Sequence, residues 1–194
     1  MAKAPLVILA GPSGSGKSTI IARLLEERKL PLRLSVSATT RRPRPNEREG
    51  VHYYFWPRER FQEQVKAGAF LEWAEVNGQC YGTLQSEVDD YRQRGIGVLL
   101  DIDVQGAAQV RAKYPQCVSI FLRTSSWEAY EQRLRKRGTE TEEQIARRLA
   151  TARRELERIG EFDHVVVNDE LERAVAEVRD LIAQAFAQGS SDAG

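Results

Sequence analysis

The stretch from Leu6 to Ser18 reads LVILA-GPSGSGKS. It constrains the fold more than any other part of the chain. Five apolar residues in a row read as a strand buried on both faces, the kind found in parallel sheets covered by helices. The residues from Ser18 to Arg28 then place Ile20, Ile21, Leu24 and Leu25 on one helical face. Between strand and helix, Gly11 to Ser18 fits G-x-x-x-x-G-K-[ST] at every position. Glycines in such a turn let successive backbone N–H groups converge on a phosphate at a helix N-terminus, which already favours anions. Lys17 is placed to reach β- and γ-phosphates, and the Ser18 hydroxyl to coordinate Mg²⁺. A flexible Gly/Ser turn is the bland alternative, and the strand–turn–helix context argues against it.

Further apolar runs at Val98–Ile102, Val118–Leu122 and Phe162–Val167 supply the remaining core strands. Helical patterns alternate with them, at Glu87–Arg94, Ser126–Arg137 and Leu171–Phe186. Strand–helix alternation implies a three-layer α/β/α core around a parallel sheet. Two segments break the alternation. Residues 37–90 are mixed, with strands expected at Val51–Trp56 and Phe70–Val76, a helix at Pro57–Ala67 and a turn at Asn77-Gly78. Residues 126–158 are helical and densely charged, with Thr141 and Gln144 spaced as a capping box. Both read as lobes inserted into one domain. That leaves a core of 1–36, 91–125 and 159–194, with a short strand expected at Arg33–Val36 and a frayed tail from Gly189.

A second phosphate-site element is expected at the end of a buried strand. VLLDID supplies Asp101 and Asp103, which share a face if the strand extends that far. Asp101 is the candidate for a metal contact through water; Asp103 reads equally well as a helix cap. No N/T-K-x-D element is present to read a base as GTPases do, and VNDE at Val167–Glu170 lacks the lysine. A small nucleotide-binding core with two inserted lobes points to a kinase, one lobe for the acceptor and one closing over the donor.

Net charge is only +1 over 194 residues, so no global field steers the chain onto nucleic acid or membrane. The basic stretch around Arg41, Arg42, Arg44 and Arg48 is local and is offset by Glu47 and Glu49. Cys80 and Cys117 lie far apart without metal-ligand spacing, which suits a reducing compartment and a cytoplasmic protein. The run at Leu6–Ala10 is too short for a signal or membrane segment.

GPSGSGKST, SVSATTRRPRPNEREGVHYYF, FLEWAEVNGQCYGT, LLDIDVQG, RLRKRGTE and VVVNDEL together resemble guanylate kinases, in that family's order and across nearly the whole chain. The resemblance implies transfer of the ATP γ-phosphoryl group to GMP or dGMP, within purine nucleotide metabolism. It also implies a GMP-binding lobe, here 37–90, and a lid, here 126–158. By the same resemblance Gly11, Pro12, Ser13, Gly14, Ser15, Gly16, Lys17, Ser18 and Thr19 hold the ATP phosphates, and Asn168 lies near the adenine. Arg41 and Arg44 clamp the GMP phosphate with Tyr53 and Tyr81, and Ser37, Glu72, Thr83 and Asp103 hold the guanine. Arg133, Arg137 and Arg148 are the lid arginines, and Mg²⁺ accompanies ATP.

Chemistry supports these assignments separately. Guanine offers two donors, N1–H and the 2-amino group, to one carboxylate, and its O6 can accept from a hydroxyl such as Ser37 or Thr83. Adenine leaves that carboxylate unpaired, a mismatch that discriminates strongly. Arginine suits a phosphate clamp because its planar fork binds oxygens in pairs. Arg133 and Arg137 share a helix face and can stabilise the transferring group, whereas Arg135, Lys136 and Arg153 read as solvated or paired. The acceptor phosphate has a second pKa of about 6, so no general base is needed. His52 and His164 therefore read as structural.

The chain departs from the family at Asn46, where glycine is usual, and at Thr83, where serine is common. Asparagine tolerates a left-handed turn, and threonine keeps the hydroxyl. Three competing readings remain: a phosphotransferase with another acceptor, a non-catalytic interaction module, and a nucleic-acid-binding protein. The full set of base and phosphate contacts that the resemblance implies opposes the first. The presence of Lys17, Arg133 and Arg137 opposes the second, and near-zero net charge the third. The sequence leaves open whether copies of the chain associate into a homo-oligomer.

Overall fold

The computed structural model describes residues 3–76, 78–135 and 141–191. The expected LVILA strand is β1, Leu6–Ala10, and all five residues are buried. It lies at the centre of a parallel sheet with β2 (Leu32–Leu34), β7 (Gly97–Asp101), β8 (Val118–Arg123) and β9 (His164–Val167), in the order β2-β7-β1-β8-β9. Side chains alternate across a strand, so β1 serves two cores. Val7 and Leu9 pack with α1 (Lys17–Glu27) and α7 (Leu171–Ser191), through Ile20, Leu24, Val175, Val178 and Ile182. Leu6, Ile8 and Ala10 pack on the other face with Val88 of α3 (Gln85–Gln93) and with Ala107 and Val110 of α4 (Val104–Lys113). These are the three layers expected.

A second, mixed sheet has the order β4-β3-β6-β5, from β3 (Ser37–Thr39), β4 (Tyr53–Phe55), β5 (Phe70–Val76) and β6 (Gln79–Leu84). With α2 (Arg58–Lys66) it encloses its own core of Ala38, Trp56, Phe61, Phe70 and Cys80. Helices α5 (Trp127–Arg135) and α6 (Glu142–Glu157) follow β8. The capping box at the start of α6 is formed: Gln144 N donates to Thr141 Oγ1 at 3.3 Å, and Thr141 N to Gln144 Oε1 at 2.9 Å.

Several boundaries differ from the sequence reading. The strand expected at Val51–Trp56 is only Tyr53–Phe55, because Gly50, Val51 and His52 turn back on Arg48 and Tyr53. The strand expected at Arg33–Val36 is Leu32–Leu34. Helix α7 continues past Gly189 to Ser191, where fraying was expected. Strand β7 ends at Asp101, and Asp103 instead caps α4, its Oδ1 accepting from Gln105 N and Gly106 N at 2.9 and 2.8 Å. The two aspartates therefore do not share a strand face. Asn77, of the expected turn, and Arg137 and Lys136, of the expected lid, lie outside the described residues.

Candidate active site

Gly16 precedes α1 with φ +96°, in the left-handed region, and a Cβ there would lie 2.2 Å from Asn168 Nδ2. Conformation and space both call for glycine. No side chain caps α1, which suits a helix start that holds an anion. Ser15 N donates to Pro12 O at 3.0 Å, and Lys17 Nζ folds back to Gly11 O at 2.6 Å. The back of the loop is held from other elements. Asn168 Nδ2 donates to Ser15 O at 2.8 Å, and Arg133 Nη2 to Asn168 O at 2.7 Å. Arg148 Nη1 on α6 reaches Ser13 Oγ at 3.3 Å.

The loop forms one side of a cleft of about 390 Å³. Gly11, Pro12, Ser13, Gly14, Gly16, Lys17, Ser18 and Thr19 line it, whereas the Ser15 side chain is buried behind. Ser37, Tyr53, Glu72 and Tyr81 enter from the small sheet, and Asp101 and Asp103 from the end of β7 and the head of α4. A smaller neighbouring cleft is lined by Gly16, Thr19, Arg133 and Asn168. Several expected contacts line neither cleft: Arg41 is half-buried, Arg44 is exposed, Thr83 is fully buried behind Glu72, and Arg148 meets the loop at Ser13.

Thr83 Oγ1 donates its one proton to Glu72 Oε1 at 2.7 Å. Of the two hydroxyls expected to serve guanine O6, that of Thr83 is turned to the carboxylate, which it orients, and that of Ser37 lines the cleft. Glu72 is only 6% exposed, and burial pushes its carboxyl up to about 7, against the Thr83 hydrogen bond. Nearby Asp103 adds to the rise. Asp101 is open to solvent in the cleft yet walled in by protein. Loss of surrounding water raises its pKa, and Lys17 opposes the rise.

Arg41 lies beside Tyr53, with its guanidinium 5.5 Å from the ring, and Tyr53 meets Tyr81 edge-on at 6.1 Å. Its fork is engaged by Glu47, at 2.8 and 2.9 Å, which holds the Glu47 carboxyl down at about 2. Glu47 N also donates to Arg44 O at 3.0 Å, closing a turn over Pro45 and Asn46. Among the described residues Arg28 is the only non-glycine with positive φ, so Asn46 needs no left-handed conformation.

Sequence reasoning missed Glu155, which lines the cleft from α6 with its pKa raised by burial. It lies seven residues after Arg148 and so on the same helix face, a spacing that could have found it. The Ser18 hydroxyl and Asp101 carboxyl are hard oxygen donors on one cleft, as Mg²⁺ prefers. Among the described residues no three acidic, histidine or cysteine groups form a metal cluster. The donors present fit an ion that brings nucleotide phosphates as its other ligands.

The guanylate kinase family model matches residues 3–185. A guanylate kinase of Desulfitobacterium hafniense (strain Y51) is 50% identical over 178 residues, covering 91% of this chain and 88% of that protein. One from Synechococcus sp. (strain CC9311) is 53% identical over 171 residues, covering 88% and 90%. The crystal structure of guanylate kinase from Anaplasma phagocytophilum superposes with a TM-score of 0.78 at 30% identity, covering 95% of this chain and 87% of that one. A family match over nearly the full length, with relatives half identical across most of both chains, leaves one conclusion: this chain belongs to the guanylate kinase family.

Proposed function

We propose that the chain transfers the γ-phosphoryl group of ATP to GMP or dGMP, giving ADP and GDP or dGDP. What carries this reading is one cleft that holds both the P-loop and Glu72, a carboxylate that Thr83 orients from behind. In it, residues 37–90 act as the GMP-binding lobe, residues 126–158 as the lid, and the rest as core. The P-loop from Gly11 to Thr19 binds the ATP phosphates, Lys17 bridges toward the transferring group, and Asn168 borders the adenine. Glu72 accepts from guanine N1–H and the 2-amino group, Ser37 donates to O6, and Asp103 uses its Oδ2, since Oδ1 caps α4. Arg41 and Arg44, with Tyr53 and Tyr81, hold the acceptor phosphate. Arg133, Arg137 and Arg148 gather the donor phosphates.

Ser18 and, through water, Asp101 would hold Mg²⁺, which would supply charge neutralisation on the donor. The acceptor oxygen is already ionised near neutrality, since its pKa is about 6. Catalysis is thus positioning plus electrostatics: cationic groups gather two anions that otherwise repel. Arg41 must exchange Glu47 for phosphate, an anion-for-anion swap that leaves its charge compensated in both states. We place the enzyme in the cytoplasm, serving purine nucleotide recycling.

The test is a coupled ADP-release assay with ATP, Mg²⁺ and GMP, dGMP, IMP, AMP or UMP. Turnover should favour GMP over AMP by on the order of 10⁴, the discrimination expected when a buried polar group loses its partner. Equal use of GMP and AMP overturns the assignment. Lys17→Ala should reduce turnover by at least ~10² while leaving the circular-dichroism spectrum intact; near-normal turnover removes the P-loop mechanism.

A further inference from the structure

Strand β5 carries an irregularity that aims its own glutamate. Phe70 is paired with Leu84 and Glu72 with Thr83, so two steps on β5 match one on β6 and Leu71 has no partner. That is a β-bulge, which takes one residue out of the ladder and redirects the next. Three consecutive side chains are thereby buried in three places. Phe70 enters the core of the small sheet, Leu71 the core of the parallel sheet, and Glu72 the cleft. Regular alternation could not do this, because Phe70 and Glu72 would share a face.

Helix α4 holds the bulge from outside the sheet. Lys113 Nζ donates to Phe70 O at 3.0 Å and to Leu71 O at 2.7 Å, the two carbonyls at the irregularity. One turn earlier, the Gln109 amide exchanges two hydrogen bonds with the backbone of Trp73, at 3.3 and 3.0 Å. One turn earlier again, α4 presents Gly106, where a Cβ would lie 2.7 Å from Glu72 Oε2. These residues recur at helical spacing on one face. Lys113 also lies outside both clefts and touches no nucleotide position proposed above.

We propose that Lys113 is a positioning residue for guanine recognition: its ammonium ties down the two carbonyls of the β5 bulge and so fixes Glu72 in the cleft. The inference rests on the reading of Glu72 as the group that accepts from guanine. Two charged groups of α4 bear on Glu72: Asp103 at the head of the helix opposes ionisation, and Lys113 at its foot favours it. From β6, Thr83 donates to it.

The test compares Lys113→Met, which keeps the aliphatic stem, with Lys113→Arg and Glu72→Gln, all in the full chain. Lys113→Met should raise KM for GMP about tenfold, with kcat and KM for ATP within twofold of the parent. It should also narrow the preference for GMP over IMP, which lacks the 2-amino group, and move the acid limb of kcat/KM for GMP upward. Lys113→Arg should restore KM. A Lys113→Met enzyme with parental KM and parental GMP:IMP preference overturns the proposal. So does an equal loss on GMP, IMP and ATP, which marks a merely structural lysine. Glu72→Gln separates the two levels. If it leaves the GMP:IMP preference intact, the base-reading assignment itself fails. If it collapses the preference while Lys113→Met does not, only the role of Lys113 fails.

Discussion

Glu72 sits between stability and recognition. Its carboxyl is held near 7 in the folded protein, chiefly by burial, against about 4.5 for an ordinary glutamate. The folded state therefore binds a proton that the unfolded chain has lost between these two values. A raised carboxyl makes stability fall as pH climbs from the unfolded value to the folded one, and the full penalty persists above it. Glu72→Gln should remove that penalty. The ligand-free variant should be more stable than the parent at pH 8, by up to about 3 kcal/mol, with the gain vanishing toward pH 4.5. Denaturant unfolding at both pH values checks this, and a gain that is the same at both pH values refutes it. Arg41 is the opposite case. Its fork is satisfied by Glu47 before any phosphate arrives, so the basic stretch is less naked than its composition suggests.

Among the elements, α6 shows a local signal and a tertiary task coinciding. Thr141 and Gln144 fix where the helix begins, and residues further along the helix, Arg148 and Glu155, face the P-loop and the cleft. Losing the cap should fray the first turn. Thr141→Ala should cost about 1 kcal/mol, seen as a fall of about 2–4 °C in the melting temperature; an unchanged melt would show that packing of α5 on α6 alone holds the helix. Helix α4 is the contrasting case. VQGAAQVRAK contains a glycine and three alanines, and no broad apolar stripe announces it. Its start depends on Asp103 leaving the strand to become a cap. Strands β3 and β6 were also invisible, β3 being short and β6 lacking apolar alternation; in SAT and QCYGTL only pairing with neighbours selects the extended state.

At the scale of the whole molecule, a second polar joint beside the hold of α4 on β5 ties the two sheets together. Arg33 on edge strand β2 pairs with Glu87 of α3 at 2.8 Å, and Tyr54 on edge strand β4 donates to the same carboxylate at 2.8 Å. The Arg33 guanidinium also covers the Tyr91 ring at 3.5 Å. One glutamate thus ties the parallel sheet to the mixed one. Glu87→Ala leaves a largely buried guanidinium without its counter-ion and should lower stability by about 2 kcal/mol or more, or at least ~4 °C in the melt. A melting temperature within 1 °C of the parent (about 0.3 kcal/mol) would show the joint to be dispensable.

The sequence by itself determined the central strand, the P-loop and the covering helices α1, α3 and α7, because those signals are local: an unbroken apolar run, fixed glycine spacing, and a helical stripe. Motif resemblance also named most cleft residues, since Lys17, Tyr53, Glu72 and Asp101 sit in short recognisable stretches. Only the tertiary structure decided how those residues are aimed. The bulge at Leu71, the hold of Lys113 on it, the clearance at Gly106, the orientation of Glu72 by Thr83 and the engagement of Arg41 by Glu47 are all interactions between side chains and partners. Most of those partners lie far apart in the chain, and all are set by packing. No periodicity records them, because each depends on where two separate elements come to rest against one another.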